Sequence, residues 1–164
     1  MEAETIATPR LTLLPLAPHH AEEMAEVLAD PRLHEFIGGE PLDADRLRAR
    51  YERLAAGSGD AGVVWCNWVV RLDSADRLTG TVQATVAGAR AEVAWVVGTA
   101  WQGRGIAKEA ARALVGWLRG QGVTTVVAHV RPEHAASAAV AAAIGLVATG
   151  EWQDGEVRWR SDIR

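Results

Sequence analysis

AEVAWVVGTAWQGRGIAKEAAR, residues 91–112, is the stretch whose reading decides the fold. Residues 91–97 are mostly β-formers and read as a buried strand, which Gly98 and Thr99 end. After Gln102-Gly103-Arg104-Gly105, the apolar residues Ile106, Ala110, Ala113/Leu114 and Trp117 fall at helical spacing. The unit is therefore strand, short glycine-bearing loop, helix. Two glycines let the backbone turn tightly and approach a ligand with no Cβ in the way. The first amides of the helix have no internal partner, and the helix dipole adds positive potential there. Such an end suits phosphate oxygens.

The loop is not a Walker A loop, since no Gly-Lys-Ser/Thr follows, and not a dinucleotide fingerprint. Gly103 and Gly105 lack both the third glycine and an acidic residue about 20 positions on. Gln102-x-x-Gly105-x-Ala107 after a strand instead resembles the Q/R-x-x-G-x-G/A loop of the GNAT acyltransferases. The resemblance implies that Gln102, Gly103, Arg104, Gly105, Ile106 and Ala107 hold the pyrophosphate of coenzyme A. Acetyl-coenzyme A would then be the acyl donor, with no metal required.

At 164 residues the chain is expected to be one domain, residues 1–164, large enough to bury a core without staples. Its composition, 49% apolar and 23% charged, is that of a soluble globular protein. No apolar run reaches the roughly 20 residues of a membrane span. The acidic start, MEAETIATPR, is no signal peptide. Cys66 is alone, which excludes an internal disulfide and a cysteine-rich metal site, so a cytoplasmic location is expected. The adjacent pair His19-His20, without further ligands, does not make a metal site either. A net charge of −4 and a pI near 5.7 speak against a general nucleic-acid binder. Monomer and homodimer both stay open.

Taken in order, residues 8–17 read as a first strand, with Pro15 at an edge or end. A helix follows from His19 to Asp30, with Ala21, Met24, Val27 and Leu28 inward and Asp30-Pro31 as its stop. Pro41-Leu42-Asp43 opens a second helix with Leu47, Tyr51 and Leu54 inward, closed by Gly57-Ser58-Gly59. Residues 63–72 and 77–87 read as antiparallel strands, and Gly88-Ala89-Arg90 leads into the central strand. Beyond the central helix come a strand at 123–130, parallel to the central one, and a helix from His134 to Ile144. Strands 146–153 and 156–163 flank the hairpin signal Asp154-Gly155. The order β-α-α-β-β-β-α-β-α-β-β, an α/β class with about seven strands and four helices, is also the order of the GNAT fold.

Amine attack on a thioester needs a held donor, an unprotonated amine, donors for the developing oxyanion and a proton for the leaving thiolate. The resemblance implies that the pantetheine arm lies along Trp95, Val96 and Val97, where the central strand splays from strand 123–130. Glu92 stands in an otherwise apolar strand, where a carboxylate must be paired or face a wet groove. Parity puts Glu92, Ala94 and Val96 on one face, opposite Val93, Trp95 and Val97. In the Rim-type branch, whose members acetylate ribosomal proteins, the central strand often begins with such a glutamate. That resemblance makes Glu92 a candidate base or acceptor anchor, against a plain strand acid paired with Arg90.

Ser137, after Arg131-Pro132-Glu133-His134, matches the serine of the family's P-x-N-x-x-S segment, which the resemblance casts as proton donor to sulfur. A first-turn helix serine serving local hydrogen bonding is the plainer reading. His134 replaces the asparagine that touches the donor in the family. His34, Glu35 and Phe36, between the first two helices, are candidate acceptor contacts. Arg46, Arg50 and Arg53 share one helix face and read mainly as a solvated surface.

The leading expectation is an N-acetyltransferase moving acetyl from acetyl-coenzyme A to a primary amine: a protein N-terminus, an antibiotic or a metabolite. The alternatives are the same fold with another acyl donor, aminoacyl-tRNA included, or a non-catalytic coenzyme-A-sensing module.

Overall fold

The computed structural model describes residues 1–162, so the last position of the expected strand 156–163 lies outside the described residues. Two short antiparallel strands open the chain, β1 (Ile6–Ala7) and β2 (Leu11–Pro15). The sequence reading had one strand at 8–17. Pro9 cannot donate to a ladder, and Thr8 closes a tight turn there, its Oγ1 accepting from the Leu11 amide at 2.9 Å. The segment before Pro9 therefore folds back on the segment after it.

A 3₁₀ turn, Pro18–His20, leads into α1 (Ala21–Val27), which buries Ala21 and Met24. Asp30-Pro31 does end this helix region, but it also begins another, α2 (Pro31–Ile37). Asp30 caps α2, accepting from the Arg32 amide at 2.9 Å, and Pro31 sits at the first turn where its missing N–H costs nothing. Hydrogen bonds from the Arg32 side chain and amide hold the Asp30 carboxyl down to about 2. His34, Glu35 and Phe36, expected in a loop, thus stand on a helix. Next comes α3 (Ala44–Ala56), capped by Asp43 and burying Leu47 and Tyr51 as expected.

Strands β3 (Val64–Leu72), β4 (Arg77–Ala87) and β5 (Arg90–Val97) form an antiparallel meander. Then come α4 (Ile106–Gly120), β6 (Thr125–Val130), α5 (Ala135–Ala143), β7 (Val147–Gln153) and β8 (Glu156–Asp162). Among the described residues the sheet has eight strands, ordered β1-β2-β3-β4-β5-β6-β8-β7, with five α-helices. All neighbours are antiparallel except β5 and β6.

Strand parity feeds two cores. Trp68 and Val70 of β3 pack with Ile106, Ala110, Leu114 and Leu118 of α4 on one face. Val69, between them, joins Met24, Leu47 and Tyr51 under α1 and α3 on the other. The same alternation on β5 buries Ala91 and Val93 against α4 and leaves Glu92 and Ala94 facing the other way.

The feature that positions the site is where pairing stops. β5 and β6 pair only at Arg90↔Thr125, Ala91↔Val126 and Glu92↔Val127. Beyond Glu92, β5 stays paired with β4 as far as Gly80↔Val97, and β6 stays paired with β8 as far as Val130↔Val157. The two strands thus part as a V with Glu92 at its apex, which is the splay the family resemblance implied.

At the open end of β5, Gly98 lets α1 close on the sheet. A Cβ there would lie 2.6 Å from both the carbonyl oxygen and Cγ1 of Val27. Gly98→Ala is therefore expected to lower stability by about 1–3 kcal/mol, the range for overpacking. Urea unfolding checks this: a midpoint equal to wild type would show that α1 does not need this close approach.

Candidate active site

A cavity of about 520 Å³ opens on the V. Helices α2 and α3 wall one side, through Phe36, Arg50 and Tyr51. The other side carries Glu92 and Trp95 of β5, His129 of β6, and His134 and Ser137 at the start of α5. A more open groove of about 560 Å³ lies near the N-terminus and the α3–β3 connection, and none of these residues lines it.

Glu92 is half-exposed, with 52% of its side chain accessible, so it faces a wet groove rather than an apolar slot. Its partner is not Arg90. Glu92 Oε1 lies 2.8 Å from Nδ1 of His129, whose side chain is only 8% exposed. On the far side of the ring, Arg158 Nε donates to His129 Nε2 at 3.1 Å. Arg158 itself donates to Glu151 Oε2 at 2.8 Å and to Gln153 Oε1 at 3.1 Å. This chain of bonds crosses four strands. Sequence reading missed His129 because the register of β6 against β5 and β8 brings it there, not any motif.

Ser137 lies in the first turn of α5, and its Oγ accepts from Trp95 Nε1 at 3.3 Å. The bond spans the V from β5 to α5. It occupies an acceptor position on the oxygen and leaves the hydroxyl proton free to donate. His134 caps nothing with its side chain; its ring stacks on Phe36, centroids 4.1 Å apart at 23°. Burial pushes its basicity down, outweighing Glu133, which favours the neutral ring. Phe36 and His134 together close one flank of the cavity.

The other expected contacts divide. His34 lines the cavity, but its ring nitrogens lie 2.9 Å from the Leu28 carbonyl and 3.3 Å from the Gly38 carbonyl, so the ring is engaged with backbone on either side of α2. Glu35 is exposed and does not line the cavity. Of the three arginines expected to share one face of α3, Arg50 lines the cavity while Arg46 and Arg53 do not. Tyr51 is buried, its hydroxyl has no hydrogen-bond partner among the described residues, and burial pushes it up to about 12.

The loop 102–107 lies beyond the end of β5, outside the lining of this cavity. Gln102 Nε2 ties it to the β5 end through the Val97 carbonyl at 3.0 Å. Gly103 and Gly105 have φ of 79° and 76°, the left-handed region that glycine enters freely. Among the described residues, the backbone N–H groups from Gly103 through Lys108 have no hydrogen-bond partner in the protein. A run of free amides at a helix start can take an anion. Arg10 latches the loop: its Nη1 donates to the Arg104 carbonyl at 2.9 Å, and its Nε pairs with Glu109 Oε1 at 2.7 Å. Thr8 adds a bond to Glu109 Oε2 at 2.6 Å. Among the described residues no group of three or more His, Cys, Asp or Glu could hold a metal ion. No helix among them is long and apolar enough to cross a membrane.

The profile of the acetyltransferase (GNAT) domain matches residues 10–147, and the chain belongs to that family. It is a GNAT-type acetyltransferase. Solved structures share the fold. The ribosomal L7/L12 α-N-protein acetyltransferase RimL, in complex with coenzyme A, is 17% identical, with a TM-score of 0.82 over 98% of each chain. The microcin C7 self-immunity acetyltransferase MccE, in complex with acetyl-CoA and AMP, is 18% identical at 0.77, over 95% of this chain and 94% of that one. An acetyltransferase from Agrobacterium tumefaciens is 27% identical at 0.77, over 98% and 95%. Among curated protein sequences none matches.

The Glu109 latch has a pH signature. Burial pushes its carboxyl up, but the bonds from Thr8 and Arg10 outweigh this and hold it below its ordinary value. A lowered folded value means the contribution is whole above the unfolded carboxylate range, about 4.3, and is lost as pH falls through the folded value. Glu109→Gln is therefore expected to be less stable than wild type at pH 7, with the gap closing towards pH 3. Urea midpoints across that range check it; a pH-independent gap would assign the effect to packing alone.

Proposed function

We propose that this chain, acting as one catalytic domain in the cytoplasm, transfers an acetyl group from acetyl-coenzyme A to a primary amine by direct attack. The observation that carries the proposal is the parting of β5 from β6 at Glu92, with the free-amide loop beyond the open end of β5 and Ser137 on the opposite lip. The loop amides from Gly103 to Lys108 would take the pyrophosphate. The unpaired edge of β5 along Trp95, Val96 and Val97 would take the pantetheine amides. That acetyl-CoA and coenzyme A are bound by MccE and RimL, which share the fold, supports this donor.

At the apex, Glu92 accepts the ammonium proton of the acceptor, directly or through a water. The amine nitrogen attacks the thioester carbon and the carbon–sulfur bond breaks; the thiolate takes a proton from the Ser137 hydroxyl or a water it holds, and the second proton shed by the new amide nitrogen restores that donor. Donors at the parting strands stabilise the oxyanion. The acceptor enters between α2 and α3, past Phe36 and Arg50. An amine on a peptide N-terminus, an antibiotic or a metabolite satisfies this chemistry.

The test is thiol release from acetyl-coenzyme A, screened over peptides, aminoglycosides and small amines, with two variants alongside. Gly105→Val forces a branched residue into left-handed backbone beside Arg10 and disturbs the loop, so it is expected to abolish the rise in Tm that acetyl-coenzyme A gives wild type. Glu92→Gln keeps donor binding and is expected to lose roughly 10²-fold in kcat, the low end for general acid–base catalysis. No rise in Tm for wild type at millimolar acetyl-coenzyme A would overturn the donor. Unchanged kcat in Glu92→Gln would overturn the base.

A further inference from the structure

Glu92 and His129 together look like two-thirds of a nucleophile-activating triad. A carboxylate facing the Nδ1 of a histidine ordinarily leaves Nε2 as the working base. Here that atom is taken. Arg158 Nε points its N–H at His129 Nε2 from 3.1 Å, and a guanidinium is always a donor and never an acceptor. Nε2 must therefore offer its lone pair, which puts the ring proton on Nδ1, 2.8 Å from Glu92 Oε1. Protonating His129 at Nε2 would set two donors against each other.

We infer that His129, fixed by Arg158 as the neutral Nδ1–H form, is a positioning residue for Glu92 and not itself a base. The inference rests on reading Glu92 as the base. Its consequence is geometric: one carboxylate oxygen is held by His129, and the other is left to take the amine proton. The hold is stiff because His129 is buried and Arg158 is itself pinned by Glu151 and Gln153 of β7. The hairpin β7–β8 at the sheet edge thereby sets the orientation of a group at the apex of the V. Holding a reacting group to a narrow range of angles is where such supporting contacts act.

Two measurements test this. Long-range proton–nitrogen correlation spectra of the ¹⁵N-histidine-labelled full chain report the tautomer of each ring without any acceptor. His129, assigned by its loss in His129→Asn, is expected as neutral Nδ1–H at pH 7, the form that free imidazole disfavours. Arg158→Met is expected to release it, giving the Nε2–H form or the doubly protonated ring. An Nε2–H or doubly protonated ring in wild type would overturn the inference.

The second measurement is kinetic, with acetyl-coenzyme A and the best amine of the release screen. Asparagine presents an amide N–H near the position of Nδ1, glutamine near that of Nε2. His129→Asn is expected to keep kcat within about threefold, and His129→Gln to lose roughly tenfold in kcat, as supporting hydrogen-bond partners typically do. KM for acetyl-coenzyme A is expected to stay the same in both. Equal losses in the two variants, or none in His129→Gln while Glu92→Gln still loses activity, would overturn the positioning role alone. Full activity in Glu92→Gln would instead overturn the base on which it rests.

Discussion

The hydrogen-bond ladder between β5 and β6 stops at Glu92↔Val127, and the rest of the molecule depends on that stop. Backbone donors and acceptors away from water must find partners, so a sheet does not open without compensation. Here each strand keeps its other neighbour, β4 for β5 and β8 for β6, and only the facing edges are freed. On one face, Ile106, Ala110 and Leu114 of α4 share a single buried cluster with Val93 of β5 and with Val126 and Ala128 of β6. Trp95 and Ser137 then fasten the two lips to each other. The opening is thus a fixed slot whose edge amides invite a ligand with amides of its own.

Around this slot the polar groups are arranged in two systems that do not touch. At the loop, Thr8 and Arg10 beside β2 hold Glu109 and the Arg104 carbonyl, so the first strands brace the segment that precedes α4. At the apex of the V, Arg158 of β8 holds His129, which holds Glu92. The N-terminal and C-terminal parts of the chain thus each buttress one of the two systems. Helix α2 closes the flank, with Phe36 stacked on His134 and the His34 ring set between the Leu28 carbonyl before the helix and the Gly38 carbonyl after it.

How much of this could be read from the sequence follows from how local each signal is. The strand–loop–helix at 91–112 was legible because its glycines, β-formers and helical spacing all lie within one short window. The alternation on β5 likewise separated Glu92 from Val93, and the structure turns the Val93 face to the core. Helix α2 was missed although its signal was present: Asp30 as cap and Pro31 in the first turn mark a helix start as well as a helix stop. Reading only the stop turned His34, Glu35 and Phe36 into a loop. The break at Pro9 was missed for a similar reason, because alternation continues through it. The partner of Glu92 was beyond reach in another way. Arg90 is near in sequence, whereas His129 and Arg158 arrive only through strand register, which no local pattern encodes.

The most direct measurement is amide hydrogen exchange, resolved by residue, with and without coenzyme A. Binding in the slot is expected to slow exchange at the loop amides from Gly103 to Lys108 and along the β5 edge from Val93 to Val97, while β1 and β2 stay unchanged. Slowing confined to the groove by the N-terminus and the α3–β3 connection, or no slowing along the β5 edge, would contradict the assignment of the parted strands as the donor site.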